Sequence, residues 1–419
     1  MKFKRPRGTS DFLGTTVDLW QQVEEIVIRS IRSYGYTEIR TPIFETTDLF
    51  VRAVGEGTDI VTKEMYTFTD KKGRSITLRP ENTAPVMRAY LENGLYRRGG
   101  VAKFYYLGPM FRYDRPQAGR YRQFHQIGAE AIGTSNPAVD AEIIDMSLNV
   151  YRVLGFPPLE VSLNSVGCRI CRPKFKDILK KSLVDLKERL CKNCQERAII
   201  NPLRIFDCKD CVEVKKELPV ITDHLCDECD DHFDRLKQIL HKIGIMYSLD
   251  PLLVRGLDYY TKTAYEILHP HLGAQNALCG GGRYDGLAEE CGGSFVPAVG
   301  FSAGMERLIE TLPDTFITGI QGRSIDVYFV VLESSGSVEA LTLARELREG
   351  GLVVDVDLSG RSLKRQMRAA SESGSTFAVI IGPDELEREE VAVKRLLTGE
   401  QKGVPFQNLL AYIKGGLLP

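Results

Sequence analysis

The sequence has no long apolar run and no pronounced excess of positive or negative charge, and each absence excludes some classes of protein. No stretch approaches the ~18–20 apolar residues of a membrane-spanning helix, so we expect no membrane span. The basic N-terminal residues 1–14 are not followed by an apolar segment, which argues against a secretory signal. With 55 Lys and Arg against 56 Asp and Glu, any nucleic-acid surface must be local. We therefore expect a cytoplasmic protein.

Two common nucleotide-binding motifs are also missing. The sequence contains no G-x-x-x-x-G-K-[ST] stretch, so a P-loop does not hold a nucleotide here. The GGGRYDG at residues 280–286 is not a dinucleotide fingerprint, because no βαβ pattern surrounds it. Taken alone, its glycines favour a bend in a strand over a ligand contact.

The 419 residues are 43% hydrophobic and 26% charged, which is typical of a soluble globular protein with two or three domains. Between about 168 and 245 the sequence becomes charged, helical and cysteine-rich, and sheet-like sequence resumes after it. We therefore predict one domain at 1–322 that is interrupted by this insertion. After the linker PDTFITGIQGRS, apolar runs alternate with helical stretches and predict a small α/β domain at 323–419.

The stretch GRYRQFHQIGAEAIG, residues 119–133, concentrates polar side chains on one face of a predicted strand. At the two-residue period of a strand, Arg120, Gln126 and Glu130 fall on the same side. Together with KFYYLGPMFRYD it predicts a hairpin around RPQAG. Without a bulge, this hairpin pairs residue 112 with 122, 108 with 126 and 104 with 130. The small residues Gly108, Gly128 and Ala129 would leave room for a ligand above the sheet, although a charged solvent-facing strand is the alternative.

Three separate segments each bring an arginine beside glycines or aromatic residues. They are FRYD with Arg112, VRGLDYYT with Arg255 and GMERL with Arg307. Arg307 falls in the first turn of a predicted helix, where the arginine and the helix N-terminus both favour an anion. Each arginine alone is typical of a solvated ion pair, but together with the hairpin they favour an anion-binding site.

These motifs together resemble histidyl-tRNA synthetases, a family of class II aminoacyl-tRNA synthetases. The resemblance rests on TLRPENTA, the hairpin, LVRGLDYYT, GGGRYDGL and AVGFSAGMERL, and extends from residues 7–12 into the C-terminal domain. It implies an α+β catalytic domain with an antiparallel sheet flanked by helices, a helical cysteine-rich insertion, and a C-terminal α/β anticodon-binding domain. The strand ending at Pro42 resembles motif 1 of the dimer interface, the hairpin resembles motif 2, and the strand and helix at Arg307 resemble motif 3.

The resemblance implies ATP-dependent ligation of L-histidine to its tRNA through a histidyl-adenylate, by a homodimer, with Mg²⁺ accompanying ATP. This chemistry needs positive charge around the phosphates more than a covalent nucleophile. By resemblance, Arg112 holds the α-phosphate and Arg307 the far end of ATP, while Arg120 assists from the loop end of the hairpin. Arg255 resembles the arginine that bridges the amino-acid carboxylate and the α-phosphate.

The other end of the same face is expected to recognise histidine. A Glu130 carboxylate opposed by the Tyr260 phenol could satisfy both imidazole nitrogens, and a ligand without them would leave buried polar groups unpaired. By resemblance, the α-amino contacts are Glu81, Thr83 and Gln126, and the pocket is also lined by Tyr259 and Tyr284.

Two positions depart from the family pattern, and one alternative function is open. The family usually has glycine where Asn82 stands and glutamate where Asp114 stands, which leaves the local geometry there open. The alternative function is that of a non-catalytic synthetase paralogue regulating histidine biosynthesis. That relative typically lacks the C-terminal α/β domain and degrades RGLDYY and GGRYDG, whereas both motifs are intact here.

The insertion carries four C-x-x-C pairs. Because no export signal is present, its cysteines are expected to be reduced thiols or metal ligands. Eight thiolates at this spacing could form two tetrahedral zinc sites, and the alternative is small buried thiols in helix turns. Because zinc is not a general feature of the family, we expect less than one zinc per chain. The pairs are Cys168/Cys171, Cys191/Cys194, Cys208/Cys211 and Cys226/Cys229.

Basic residues cluster in two places that could contact tRNA. The first place is residues 168–197 in the insertion, which hold ten Lys and Arg against four Asp and Glu. Residues 207–234 of the insertion are acidic instead, with three Lys and Arg against ten Asp and Glu. In the C-terminal domain, basic residues at i, i+3, i+4 and i+7 predict one face of a helix. A solvated basic face is the alternative in both places, but anticodon reading, implied by the resemblance, favours phosphate contacts in the C-terminal domain. Those four residues are Arg361, Lys364, Arg365 and Arg368.

Overall fold

The computed structural model describes residues 3–115, 120–269, 277–318 and 325–417. It divides into two compact units, Met1–Gly319 and Ile320–Pro419. Most of the predicted RPQAG turn and the end of the predicted linker, including residue 323, lie outside the described residues. None of the helices in the described part of the chain combines the length and apolar character that crossing a membrane requires.

The first unit is built on a large mixed sheet. Its strands are β1 (Thr37–Glu38), β2 (Phe44–Thr46), β3 (Tyr66–Thr69), β4 (Ser75–Leu78), β5 (Ala102–Phe111), β6 (Gln123–Ile132), β7 (Glu160–Ser165), β8 (Tyr247–Leu249), β9 (Thr261–Leu268), β10 (Ala277–Arg283) and β11 (Ala298–Gly304). Eight of them form one sheet in the order β1-β5-β6-β11-β10-β9-β7-β8, and β2-β4-β3 form a smaller sheet. The edge pairs β1/β5 and β7/β8 are parallel. The predicted antiparallel sheet is confirmed for the centre.

Helices cover this sheet. They are α1 (Thr15–Arg32), α2 (Thr47–Val54), α3 (Thr83–Glu92), α4 (Pro137–Arg152), α5 (Cys171–Asp185), α6 (Lys192–Ile200), α7 (Val212–Lys216), α8 (Asp227–Lys242), α9 (Leu287–Glu290), α10 (Met305–Glu310) and α11 (Asp314–Thr318). Helix α4 begins where Asn136 accepts a hydrogen bond from the N–H of Ala138 and Pro137 takes the first helical position. Helices α1, α4 and α8 pack on one face of the sheet and form one hydrophobic core with it. These three helices do not cover the opposite face of the sheet.

The β5–β6 hairpin has the register that the sequence predicts. Gly108 lies opposite Gln126 and Phe104 opposite Glu130. The odd residues of β6, such as Ile127 and Ala129, pack in the helix-covered core, so the even residues lie on the other face. The strand is shorter than predicted, because the N–H of residue 122 bonds to the carbonyl of residue 8 at 2.7 Å and regular pairing starts only at Gln123.

The motif 1 segment is also less regular than predicted. Instead of one strand ending at Pro42, β1 has two residues and pairs with β5, while β2 joins the smaller sheet. The insertion is helical as predicted, with α5 to α7 around a small core of its own that includes Phe175, Leu179 and Ile205.

The second unit is the predicted α/β domain. Its strands are β12 (Val327–Val331), β13 (Val354–Asp357), β14 (Phe377–Ile381), β15 (Glu390–Arg395) and β16 (Gln401–Pro405), in the sheet order β13-β12-β14-β15-β16. Its helices are α12 (Ser337–Glu349), α13 (Leu363–Glu372), α14 (Pro383–Arg388) and α15 (Leu409–Leu417). The first three strands are parallel, and the β15–β16 hairpin continues the sheet with antiparallel pairing.

The predicted basic helix face is wrong at one residue. Helix α13 begins at Leu363, so Arg361 lies before it, and its guanidinium pairs with the Asp357 carboxylate at 2.6 Å. Lys364, Arg365 and Arg368 lie on the helix and are exposed. The i, i+7 spacing could not reveal that the carboxylate at the end of β13 holds the first arginine.

Candidate active site

A cavity of about 670 Å³ lies in the first unit, on the polar face of the hairpin. Strands β6, β9, β10 and β11, the segment 255–260 and part of the insertion contribute to its wall. It brings together most residues that the sequence analysis assigned to ATP and histidine: Glu81, Thr83, Arg112, Arg120, Gln126, Arg255, Tyr259, Tyr260 and Arg307. Glu130 and Tyr284 lie beside it and are connected to its wall by contacts with Thr83 and Tyr259.

Arg112 is positioned by neighbouring groups that do not neutralise its positive charge. Its Nε donates to the carbonyl of Pro80 at 2.9 Å, and its guanidinium carbon lies 5.3 Å from the Phe124 ring centroid. Burial lowers the pKa of Arg112, although Glu64 nearby opposes the shift. Among the described residues it has no carboxylate within 4.0 Å, so an anion can still bind to its remaining nitrogens.

The other two arginines that are predicted to bind ATP, Arg307 and Arg120, have different kinds of partner. Arg307 is the third residue of α10, and its Nη1 donates to the carbonyl of Ala277, which leaves the other terminal nitrogen for a ligand. Arg120 is half exposed and forms an ion pair with Asp114 at 3.0 Å. The shorter acid at position 114 therefore reaches the hairpin arginine.

Arg255 lies between Glu266 and Gly280, and the sequence predicted only the arginine itself as a site residue. Its guanidinium forms an ion pair with Glu266, while its Nε is buried without a partner among the described residues. Burial alone would lower the pKa of Arg255, but Glu266 raises it above its ordinary value. A Cβ at Gly280 would lie 2.2 Å from Arg255 Nη2, so this glycine makes room for the arginine. Glu266 was missed, although an acid in the otherwise apolar AYEIL of β9 was a usable signal.

Glu130 is a buried carboxylate with two hydroxyl donors. Its side chain is 1% exposed, its Oε1 accepts from Thr83 Oγ1 at 2.8 Å, and its Oε2 accepts from Tyr284 Oη. Burial raises the pKa of Glu130 to about 8. The protonated form therefore dominates at neutral pH when no ligand is bound. A Cβ at Gly300 would lie 1.7 Å from Oε2, so only glycine fits opposite this carboxyl group.

Three tyrosine rings pack at tilted and edge-to-face angles beside this carboxyl group. The ring centroid of Tyr259 lies 4.8 Å from that of Tyr260 and 5.6 Å from that of Tyr284. Tyr284 contacts Glu130 directly, whereas the Tyr260 ring lies 5.9 Å from the guanidinium carbon of Arg255. The predicted opposition of Tyr260 to Glu130 across an imidazole stays a prediction.

The α-amino end of the site contains buried polar atoms that lack partners. Gln126 Oε1 and Tyr106 Oη are both buried without a hydrogen bond among the described residues, and both residues line the cavity. Such atoms are costly unless a ligand or water completes them. Tyr106 was missed, although it lies opposite Gly128 and so shares the even face.

The glycines of the hairpin make room for neighbouring side chains and not for a ligand. A Cβ at Gly128 would lie 2.4 Å from Tyr106 Oη, and a Cβ at Gly108 would lie 2.5 Å from Arg79 Nη2. The expectation that these glycines leave space for a ligand is therefore wrong, because Tyr106 and Arg79 occupy that space.

Glu81 and Asn82 organise the start of α3. The Glu81 carboxylate accepts from the N–H of Thr83 at 2.7 Å and of Ala84 at 3.1 Å, and burial raises its pKa. Asn82 is fully buried, and its Oδ1 accepts from Thr41 Oγ1 at 2.7 Å and from Arg79 Nη1 at 3.1 Å. The side chain at position 82 thus holds Arg79 in place, a contact that a glycine at this position could not make.

The GGRYDG motif also has a structural part that sequence reasoning missed. Arg283 and Asp140 are both fully buried, and the Arg283 guanidinium also contacts Asp285 at 3.1 Å. His232 on α8 lies 3.3 Å from the same Asp140 carboxylate. Burial alone would raise the pKa of Asp140, but Arg283 and His232 lower it. This buried ion cluster joins α4, β10 and α8.

The eight insertion cysteines converge in two groups of four that could hold a metal ion. Cys168 and Cys171 meet the fourth pair, Cys226 and Cys229, and the two middle pairs, Cys191/Cys194 and Cys208/Cys211, meet each other. In each group the four sulfur atoms lie within 4.8 Å of one another.

Comparison with known proteins places these features in one family. A family model described as histidyl-tRNA synthetase matches residues 8–308, and one described as anticodon binding domain matches residues 326–415. The histidine–tRNA ligase of Halothermothrix orenii is 50% identical over 412 residues, and that of Desulforamulus reducens is 48% identical over 412 residues; each alignment covers 98% of both chains. The crystal structure of apo S. aureus histidyl-tRNA synthetase has a TM-score of 0.81 at 39% identity, covering 98% of this chain and 100% of that chain. The chain belongs to the histidyl-tRNA synthetase family.

Proposed function

We propose that this protein activates L-histidine with ATP and transfers the histidyl group to its cognate tRNA. The observation that carries this proposal is one cavity with arginines free to bind phosphate at one end and a buried carboxyl group at the other. The reaction must hold an amino-acid carboxylate beside the α-phosphate while the side chain is recognised some distance away. The even face of the hairpin provides both ends.

Histidine recognition is assigned to Glu130 and its neighbours. Burial raises the pKa of the Glu130 carboxyl group to about 8 in the free protein, so near neutral pH this group holds a proton. The basic nitrogen of a bound imidazole can accept this proton, because a cation beside a carboxylate lowers the carboxyl pKa. The pair then consists of an imidazolium and a carboxylate that Thr83 and Tyr284 keep oriented. The unpartnered Gln126 Oε1 is available to the α-amino group.

Adenylate formation is assigned to the arginines. An oxygen of the histidine carboxylate forms a bond to the α-phosphorus, the bond from that phosphorus to the bridging oxygen breaks, and pyrophosphate leaves with its electron pair. Arg112 and Arg255 stabilise the charge that grows on the α-phosphoryl oxygens, while Arg307 and Arg120 hold the leaving end. Glu266 keeps the Arg255 guanidinium oriented before any substrate binds.

Mg²⁺ is proposed to enter with ATP. Glu64 and Glu306 present carboxylates to the same cavity, and oxygen ligands suit this ion. When bound, it would neutralise charge on the phosphates.

Transfer to tRNA is assigned to both units. We propose residues 1–322 as the catalytic domain with its insertion at about 168–245, and 323–419 as the anticodon-binding domain. Lys364, Arg365 and Arg368 are exposed on α13 and suit phosphate contacts, and Arg361 keeps its charge beside them although Asp357 holds it. We further propose a homodimer formed around the motif 1 segment and a cytoplasmic location, where tRNA is charged for translation.

The regulatory paralogue is the weaker alternative. All the residues assigned to histidine recognition are present, and the anticodon-binding family model matches residues 326–415, a region that such a paralogue typically lacks.

Histidine-dependent exchange of pyrophosphate into ATP tests the proposal directly. We expect exchange that requires L-histidine and is abolished in the Glu130→Ala variant, followed by charging of histidine tRNA by the wild-type protein. A folded wild-type protein that binds histidine but supports no exchange would favour the regulatory paralogue.

A further inference from the structure

We propose that the insertion binds two Zn²⁺ ions, one in each four-cysteine group. We name the groups the outer cluster, Cys168, Cys171, Cys226 and Cys229, and the inner cluster, Cys191, Cys194, Cys208 and Cys211. A tetrahedral site with four thiolates and no open position is the arrangement of a structural zinc site. The expectation of less than one zinc per chain rested on the family tendency, and the side-chain geometry argues against it.

The sulfur–sulfur distances match those of a zinc tetrahedron. With zinc–sulfur bonds of about 2.3 Å, the edge of a regular tetrahedron is about 3.8 Å. A disulfide would instead require about 2.0 Å. The measured edges are 3.7 Å for Cys168–Cys171 and Cys168–Cys226, 3.8 Å for Cys171–Cys229 and 3.7 Å for Cys191–Cys208.

Backbone N–H groups also point at the sulfur atoms. The N–H of Cys168 donates to Cys171 Sγ at 3.0 Å, and the N–H of Ile170 donates to Cys168 Sγ at 3.3 Å. In the inner cluster the N–H of Cys191 donates to Cys211 Sγ at 3.4 Å. Such donors stabilise the negative sulfur of a metal-bound thiolate more than they stabilise a neutral thiol.

The chain near the outer cluster is shaped to admit the sulfur atoms. Gly167 has a φ of +67°, and a Cβ there would lie 2.8 Å from Cys171 Sγ. A side chain at this position would be strained and would push the sulfur out of the cluster. Glycine is therefore required for the turn that brings Cys168 and Cys171 together.

Buried thiols in helix turns are a weaker explanation of the same residues. Thiols that only fill a core would not need to meet in two separate groups of four from distant parts of the chain. Cys279 and Cys291 show the contrast, because they belong to neither group. The insertion core around α5 to α7 is also small, and small cores commonly need a metal or a covalent link.

The inner cluster would position one wall of the cavity. It closes the segment that contains Arg204, whose Nη2 donates to the Gly256 carbonyl at 2.7 Å, directly after Arg255. Asp207 and Lys209, which flank Cys208 of this cluster, line the cavity themselves. The zinc would thus act through the protein framework and not on the reacting atoms.

Metal analysis of the full-length wild-type protein, expressed with zinc available and purified without chelator, tests the proposal. We expect two zinc ions and no iron per chain. A zinc content below one per chain, or iron in place of zinc, would overturn it. The measurement does not depend on the proposed function, which stands or falls with the exchange assay.

Single-cysteine variants assign the ions to the clusters. Cys171→Ser and Cys211→Ser are each expected to lose one zinc, while Cys291→Ser, the control outside both clusters, retains two. Retention of both ions in either cluster variant would refute that cluster. If a variant does not fold, cobalt substitution in the wild-type protein decides the matter: tetrahedral tetrathiolate absorption bands support both sites, and their absence overturns them.

Discussion

Replacing Glu130 by glutamine tests the centre of the proposed histidine pocket. The carboxyl group is 1% exposed and has Thr83 and Tyr284 as its donors, so the ligand would be its third polar partner. Glutamine preserves the shape but cannot become the negative partner of an imidazolium. Losing a charged partner of a buried polar ligand costs about 2–4 kcal/mol, which corresponds to roughly a 30–1000-fold loss of histidine affinity.

We expect the histidine KM of Glu130→Gln in pyrophosphate exchange to rise by this factor while the ATP KM changes little. The matched control is Glu142→Gln, because Glu142 pairs with Lys103 at 2.6 Å on the helix-covered side of the sheet. A near-normal histidine KM in Glu130→Gln would remove Glu130 from the pocket. An equal loss in the control would mean that the effect is structural.

The dependence on pH gives a second, sharper readout. Free histidine has a side-chain pKa of about 6.5, the pKa of Glu130 is about 8, and the complex shares one proton between them. The histidine KM of the wild type should therefore be flat between these values and rise on either side. The variant should lose only the alkaline rise, and an unchanged alkaline rise would contradict the shared proton.

The same group links folding to pH with a definite sign. The pKa of Glu130 is raised in the folded state to about 8, whereas an unfolded chain releases this proton near pH 4.3. The folded state therefore holds more protons between these values, and its stability falls as the pH rises through that window. The variant should lack this contribution in urea unfolding measured from pH 5 to 8.

Three further outcomes are expected. Arg255→Ala should lower kcat for exchange more than it raises the histidine KM, because its interaction grows in the transition state; a change confined to KM would make it only a carboxylate anchor. Removing residues from 323 onward should leave exchange largely intact and sharply reduce tRNA charging, and a folded truncated protein that charges at the full-length rate would refute the anticodon-reading role. Arg283→Met should destabilise the protein by about 3–5 kcal/mol in urea unfolding, because it removes the arginine partner of the fully buried Asp140, whereas the exposed pair lost in Arg345→Met should cost about 0–1 kcal/mol; equal midpoints would contradict this.

The register of the hairpin was predictable because strand parity is a local property. A turn of fixed length determines which residues of β5 and β6 face each other, so Gln126 and Glu130 were placed on one face correctly. The placement of Arg307 in the first turn of a helix was predictable in the same way, and α10 does begin at Met305.

Contacts that depend on the tertiary fold were not predictable in this way. Glu266 on β9 meets Arg255 across a loop, and Tyr284 reaches Glu130 because β10 and β6 both flank β11. Neither distance follows from spacing along the chain. The prediction that Arg361 lies on the basic helix face was wrong for a related reason. Its ion pair with Asp357 depends on the fold, and the helical spacing does not reveal it.

The pairing of the first C-x-x-C motif with the last has a consequence for how the insertion can be exchanged. The outer cluster brings Cys168 and Cys229 to one place, so the chain enters and leaves the small helical core at adjacent points. Helix α8, which begins at Asp227 within the last C-x-x-C motif, packs with α1 and α4 in the main core and contributes His232 to the buried ion cluster. A chimera with another synthetase should therefore be joined at the outer cluster, between 171 and 226, leaving α8 with its host, because a graft that carried α8 along would remove part of the host's own core.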